Sequence, residues 1–129
     1  MTYHHPTLAA GRWKTFTLCE QLANVGSEVH RAAMYRSRAA EHPSRAVEEE
    51  ERALRALERA LELLDLTRRF ADRSSVRREL GRVRELLASA YFQDMQYATA
   101  LPDLVRYFDA FAIAAQEQKR KRFHVIPIS

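Results

Sequence analysis

Between residues 44 and 70 two apolar stripes run along the chain at helical spacing. Leu54, Leu57, Leu61 and Leu64 form one, with steps of three, four and three. Ala53, Ala56, Ala60, Leu63, Thr67 and Phe70 form a second beside it. A helix needs only one such stripe to pack on its own core, so the second is left for another surface. Small side chains let helices approach closely, and this stripe reads as an oligomer interface with a second copy of the chain. The alternative is a broad face buried wholly within one bundle.

Three further helices follow from the same periodicity. The first runs from about residue 12 to 40, with Trp13 and Phe16 anchoring its start and Leu18, Leu22, Val25 and Val29 on its buried face. Gly26 interrupts it at a cost of about 1 kcal/mol relative to Ala, which a close helix crossing explains. Glu41-His42-Pro43-Ser44 is a turn, with Ser44 the expected N-cap of helix two and Glu48 to Glu51 favouring the positive end of its dipole. The charges of helix two, Glu58, Glu62, Arg55 and Arg59 among them, read as a solvated face. Asp72 or Ser74 can cap helix three, whose inner positions are Val76, Leu80, Val83, Leu87 and Ala90. A polar connection leads to Pro102, which suits the first turn of helix four. Leu104, Phe108, Phe111 and Ala115 are its inner stripe, with Tyr107, Ala110 and Ala114 on another face. The expected fold is all-α, an up-and-down four-helix bundle over residues 12–123, with a loose lead-in at 1–11 and a short apolar tail at 124–129.

Composition agrees with this. The chain of 129 residues has three Gly and four Pro, enough length for a real core and little that breaks helices. Cys19 is alone, so no internal disulfide exists, and it reads as a small core residue. No apolar run approaches the roughly 20 residues of a membrane span, and no signal peptide is evident. A cytoplasmic protein is expected.

The charges change the picture more. The formal net charge is +4, and 18 of the 21 basic residues are Arg, a bias that a GC-rich genome also produces. Seven Arg fall between residues 68 and 84 (Arg68, Arg69, Arg73, Arg77, Arg78, Arg82 and Arg84), against Asp72 and Glu79. Lys119, Arg120, Lys121 and Arg122 form a second cluster at the end of helix four. An up-and-down bundle can place both at one pole. Arg68, Arg69, Arg73, Arg77, Arg78 and Lys119 to Arg122 are therefore the candidate nucleic-acid-binding residues. Such a surface holds phosphate backbones without reading sequence, and a symmetric oligomer would repeat it. Phe70 and Phe123 are the aromatic residues nearby, too few for an evident stacking platform, so duplex or structured RNA is the expected partner. The alternative is that these Arg pair with the acidic face of helix two.

Catalytic constellations are scarce. Metal-binding bundles use Glu-x-x-His pairs, which are absent, and Glu28 and His30 have the wrong spacing. No Gly-rich phosphate loop or nucleophile elbow occurs. Arg36 followed by His42 resembles the Arg-x(4–6)-His signature of helical HEPN ribonucleases, although His42 stands in a turn and early in the chain. No catalytic residue, cofactor or metal is expected.

The segments Leu22-Ala23-Asn24-Val25-Gly26-Ser27-Glu28-Val29-His30-Arg31 and Glu58-Arg59-Ala60-Leu61-Glu62-Leu63-Leu64-Asp65-Leu66-Thr67 resemble a group of small uncharacterised bacterial helical proteins. That resemblance supplies no activity. It directs attention to Asn24, Ser27, Glu28, Arg59, Glu62 and Asp65, of which Glu28, Arg59 and Glu62 read as structural polar residues. Arg59 lies between the two stripes, within reach of Glu28 or Glu62. In length, helix count and charge the chain is also similar to the proteins encoded in intervening sequences of ribosomal RNA and to the accessory proteins of diversity-generating retroelements. This similarity implies a basic pentamer that binds nucleic acid or a nucleic-acid enzyme. Two functions are thus expected: a non-catalytic oligomeric bundle with a nucleic-acid-binding pole, or an adaptor docking a partner chain. A ribonuclease is the third.

Overall fold

The computed structural model describes residues 12–92 and 100–124, and among them all regular structure is helical. Helix α1 spans Leu18–Glu41, α2 spans Ala46–Arg69, α3 spans Ser74–Phe92 and α4 spans Ala100–His124. Short 3-10 turns, Arg12–Thr15 and Pro43–Arg45, precede α1 and α2. Helix α1 packs against α2 and α4, and α3 against the same two, which gives the expected four-helix bundle. The expected lead-in at 1–11, the middle of the polar connection at 93–99 and the tail from 125 lie outside the described residues.

One core joins all four helices: Leu22, Val25 and Val29 of α1, Leu57 and Leu64 of α2, Leu80 and Leu87 of α3, and Leu104 and Phe108 of α4. The inner positions read from the sequence on α3 are buried, apart from half-buried Val76. On α4, Leu104, Phe108 and Ala115 are buried and Phe111 half-buried. Gly26 sits where α1 crosses α4: a Cβ built there would lie 2.6 Å from the Phe108 Cβ.

The second stripe of α2 is not a free surface. Ala53, Ala56, Ala60, Leu63 and Thr67 are buried within the single chain, and Phe70 is half-buried against the core. The oligomer-interface assignment is therefore corrected for Ala53, Ala56, Ala60, Leu63 and Thr67. The reason is topological: α2 has α1 on one side and α3 on the other, so one chain already requires two stripes from it. In the first stripe Leu57 and Leu64 are buried, and Leu54 and Leu61 are the half-exposed edge.

The helix starts also differ from expectation. Helix α1 begins at Leu18 and not near Arg12, because Thr17 closes a capping box. The Glu20 N–H donates to Thr17 Oγ1 (3.2 Å), and the Thr17 N–H donates to Glu20 Oε1 (3.0 Å). Ser44 is not the cap of α2; it lies inside a 3-10 turn, and Arg45 stands at the cap without a side-chain hydrogen bond. On α3 the Arg77 N–H reaches the Arg73 carbonyl (3.1 Å), so Arg73 holds the cap position in place of Asp72 or Ser74. The solvated face of α2 is also incomplete, since Glu49 and Glu62 are buried.

The Thr17 backbone hydrogen bond, followed by the Thr17 hydroxyl and the charges of Arg122 and Lys119, lowers the Glu20 pKa in spite of some desolvation. A lowered carboxylate stabilises the fold above its unfolded pKa, and that contribution is lost as pH falls through the folded value. Amide protection factors in the first turn of α1, taken against the intrinsic exchange rate at each pH, are accordingly expected to fall selectively below the ordinary glutamate range. In Glu20→Gln that pH dependence should vanish, and its persistence would exclude Glu20 as the titrating group.

Candidate nucleic-acid interface

The candidate interface is built where α2 ends and α3 begins. Thr67 is buried in the last turn of α2; its hydroxyl donates to the Leu63 carbonyl (3.0 Å) and accepts from Trp13 Nε1 (3.0 Å). Gln21 Nε2 donates to the carbonyls of Trp13 (3.0 Å) and Phe16 (3.2 Å). These bonds strap the segment before α1 across the end of α2. Helix α2 then terminates as the Phe70 and Ala71 N–H groups turn back to the carbonyls of Leu66 and Arg68 (both 3.2 Å). Arg77 Nε donates to the Ala71 carbonyl (2.8 Å), which fixes the entry into α3.

The same segment touches α4, since Thr17 Oγ1 donates to Gln118 Oε1 (3.4 Å) and Arg122 approaches Glu20 (4.0 Å). Arg68 to Arg78 and Lys119 to Arg122 are thereby brought to one end of the bundle, with residues 13–17 between them. Lys119, Arg120, Lys121 and Arg122 are all exposed there.

Two clefts open at this end. One, of about 610 Å³, runs between the end of α2 and α3 and is lined by Arg68, Arg77, Arg78, Arg82, Arg84 and Glu85 around Gly81. The Arg68 guanidinium lies over Gly81, its Nη2 3.3 Å from where a Cβ would stand, and its Nε is buried without a hydrogen-bond partner among the described residues. Arg84 donates from Nε to Asp65 Oδ1 (2.7 Å), and this hydrogen bond raises its pKa. The other cleft, of about 660 Å³, has Phe16, Leu18, Phe70 and Val76 as apolar walls and Arg69, Asp72, Arg73 and Arg77 at its rim. Arg69 also stands 5.9 Å from the Phe70 ring.

Sequence reasoning left Gly81, Arg82 and Arg84 out of the candidate site, although the arginines were visible in the run. Phe16 was missed as a site residue because it belongs to a segment more than fifty positions from Phe70. The acidic-face alternative accounts for only part of the cluster: Arg84 pairs with Asp65 of α2, whereas Arg78 and Arg82 are exposed.

Elsewhere the polar residues serve the fold. Glu28 accepts from Arg59 Nε and Arg31 Nη1, both at 3.0 Å. Asn24 and Ser27 donate to backbone carbonyls of their own helix. Arg36 is held bidentate by Glu50 and donates to the Ala90 carbonyl (2.6 Å), tying three helices together, while His42 is exposed in the turn. The guanidinium that a HEPN-like site would need is thus engaged in a structural clamp. Cys19 is half-buried beside Gln118 and is not a core residue. Among the described residues no group of three or more His, Cys, Asp or Glu is placed to hold a metal, and no helix is long and apolar enough to cross a membrane.

No protein-family model, curated protein or solved structure shows a significant match to the chain.

Proposed function

We propose that this is a cytoplasmic, non-catalytic bundle whose basic end binds the phosphate backbone of RNA or DNA, alone or as part of a nucleic-acid-processing complex. The observation that carries this reading is the convergence of two basic clusters, about forty positions apart in sequence, on one end of the fold. Arginines in a shallow groove suit phosphate oxygens, and contacts of this kind give affinity without sequence preference. Homo-oligomerisation, as the pentamer implied by the resemblance, would repeat the basic end around a ring. Its interface has to lie away from the Ala stripe of α2; Val47 and Phe92, 74% and 76% exposed, and Ile113 are large apolar side chains still open to a second copy.

The test is anisotropy with labelled structured RNA and duplex DNA across a salt series. Affinity should fall with log salt, with a slope near −0.9 per phosphate contacted on duplex DNA. In Arg73→Glu/Arg77→Glu binding should weaken at least about tenfold and the slope flatten by roughly two, with helix content retained. Unchanged binding by that variant would remove the cluster from the interface. No binding at low salt would leave the arginines as a solvated face.

A further inference from the structure

We infer that the cleft walled by Phe16 and Phe70 takes an unpaired nucleobase, from a strand whose phosphates run in the arginine groove beside it; this rests on the nucleic-acid reading above. The two clefts differ in chemistry in the way that the two parts of a nucleotide differ. The groove around Gly81 has five arginines, the carboxylate of Glu85 and no aromatic ring, which favours phosphate over a base. The other cleft has two half-buried rings and a valine for walls, with a carboxylate, Asp72, among Arg69, Arg73 and Arg77 at the rim. Arg69, Arg73 and Arg77 at that rim can hold the phosphate attached to such a base, whereas the rings offer a phosphate nothing. A base has a π-face for Phe16 or Phe70 and amino groups that a carboxylate can accept from.

Arg77 joins the two sites, because its side chain lines both clefts. It is also oriented, through the Nε–H bond to the Ala71 carbonyl, so its remaining guanidinium donors are presented at the boundary. A ligand spanning that boundary has a phosphate on one side of Arg77 and a base on the other. In a fully paired duplex the bases are stacked inside and cannot enter. The ligand class is therefore single-stranded nucleic acid, or a structured RNA with extruded bases, which departs from the sequence-based expectation of a duplex and keeps only that of a structured RNA. The sequence pointed to too few aromatics; folding adds Phe16 to Phe70 across the end of α2.

Trp13, the only tryptophan, provides a reporter. Its ring packs edge-on against Phe16 (5.5 Å between centroids), and its Nε1 bonds Thr67, which lines the cleft.

The experiment compares three ligands of roughly 12 nucleotides at low salt: a single strand, the same strand with abasic sites, and a blunt duplex. The base-containing strand should bind about tenfold tighter than the abasic one of equal charge and shift Trp13 emission. Phe70→Leu should narrow that gap with the salt slope unchanged, whereas Arg82→Glu should weaken both strands alike. Equal affinity for intact and abasic strands, or tighter binding of the duplex, would overturn the base site and leave the basic end standing. Failure of all three to bind at low salt would overturn both.

Discussion

Gly26→Leu is expected to destabilise the fold by about 3 kcal/mol, the upper range for overpacking a filled core. The Cβ that any other residue brings would lie 2.6 Å from the Phe108 Cβ, 3.4 Å from its Cγ and 3.7 Å from its backbone carbon. Phe108 is buried in the shared core, and an atom fixed to its backbone cannot swing aside as a side-chain tip can. Helices α1 and α4 would have to part. Even Gly26→Ala should lose stability, although alanine gains about 1 kcal/mol of helix propensity over glycine. Gly81 supplies the control. There the nearest atom is Arg68 Nη2 at 3.3 Å, the far end of a flexible side chain. Gly81→Ala should be neutral or slightly stabilising by urea denaturation, whereas the two Gly26 variants unfold at lower denaturant. A Gly26→Ala variant more stable than its parent would mean that the crossing is looser than these distances require.

That crossing was legible in the sequence, because a glycine inside a strong helical pattern needs a packing reason. The helix count and the inner faces of α3 and α4 were legible for the same cause: one face of each is apolar at a single period. Helix α2 was harder. Two apolar stripes arise equally from a helix with neighbours on both sides and from a helix shared with a second subunit, and periodicity contains no term for which chain supplies the neighbour. The break before α1 had a local signal, the Thr17 to Glu20 capping box, but Trp13 and Phe16 continue the apolar pattern across it. Those two residues do pack on the core, from a 3-10 turn and the bend after it, which Gln21 and Thr67 hold in place.

The candidate site was legible as charge and not as shape. A run of arginines from 68 to 84 is visible in one dimension, and antiparallel topology then places the cluster at 119–122 at the same end. Neither step reveals the groove over Gly81, where the Arg68 guanidinium from the end of α2 lies across α3. Nor does it reveal the aromatic cleft, whose walls come from the segment before α1, the end of α2 and the start of α3.

Replacing Arg59 by Met should cost about 2 kcal/mol, a larger loss than its place among the charges of α2 suggests. Glu28 is 7% exposed and rests on two donors, Arg59 Nε from α2 and Arg31 Nη1 from its own helix. Removing one partner of a fully buried pair typically costs about 3–5 kcal/mol, because a carboxylate is left short of its charge partner in a low dielectric. Here Arg59 is itself 26% exposed and Arg31 remains, so the lower figure is expected. Replacing both members, Glu28→Leu with Arg59→Met, removes the need for the pair. The double variant should recover most of the loss, since an apolar pair of similar volume is often neutral or better. A double-mutant cycle in urea reads the difference directly. The pair lies midway along α1 and α2, away from the basic end, so the folded double variant should keep its nucleic-acid affinity and salt slope. A double variant less stable than Arg59→Met alone would show instead that the ion pair sets the approach of α1 to α2, as a polar register mark in the core.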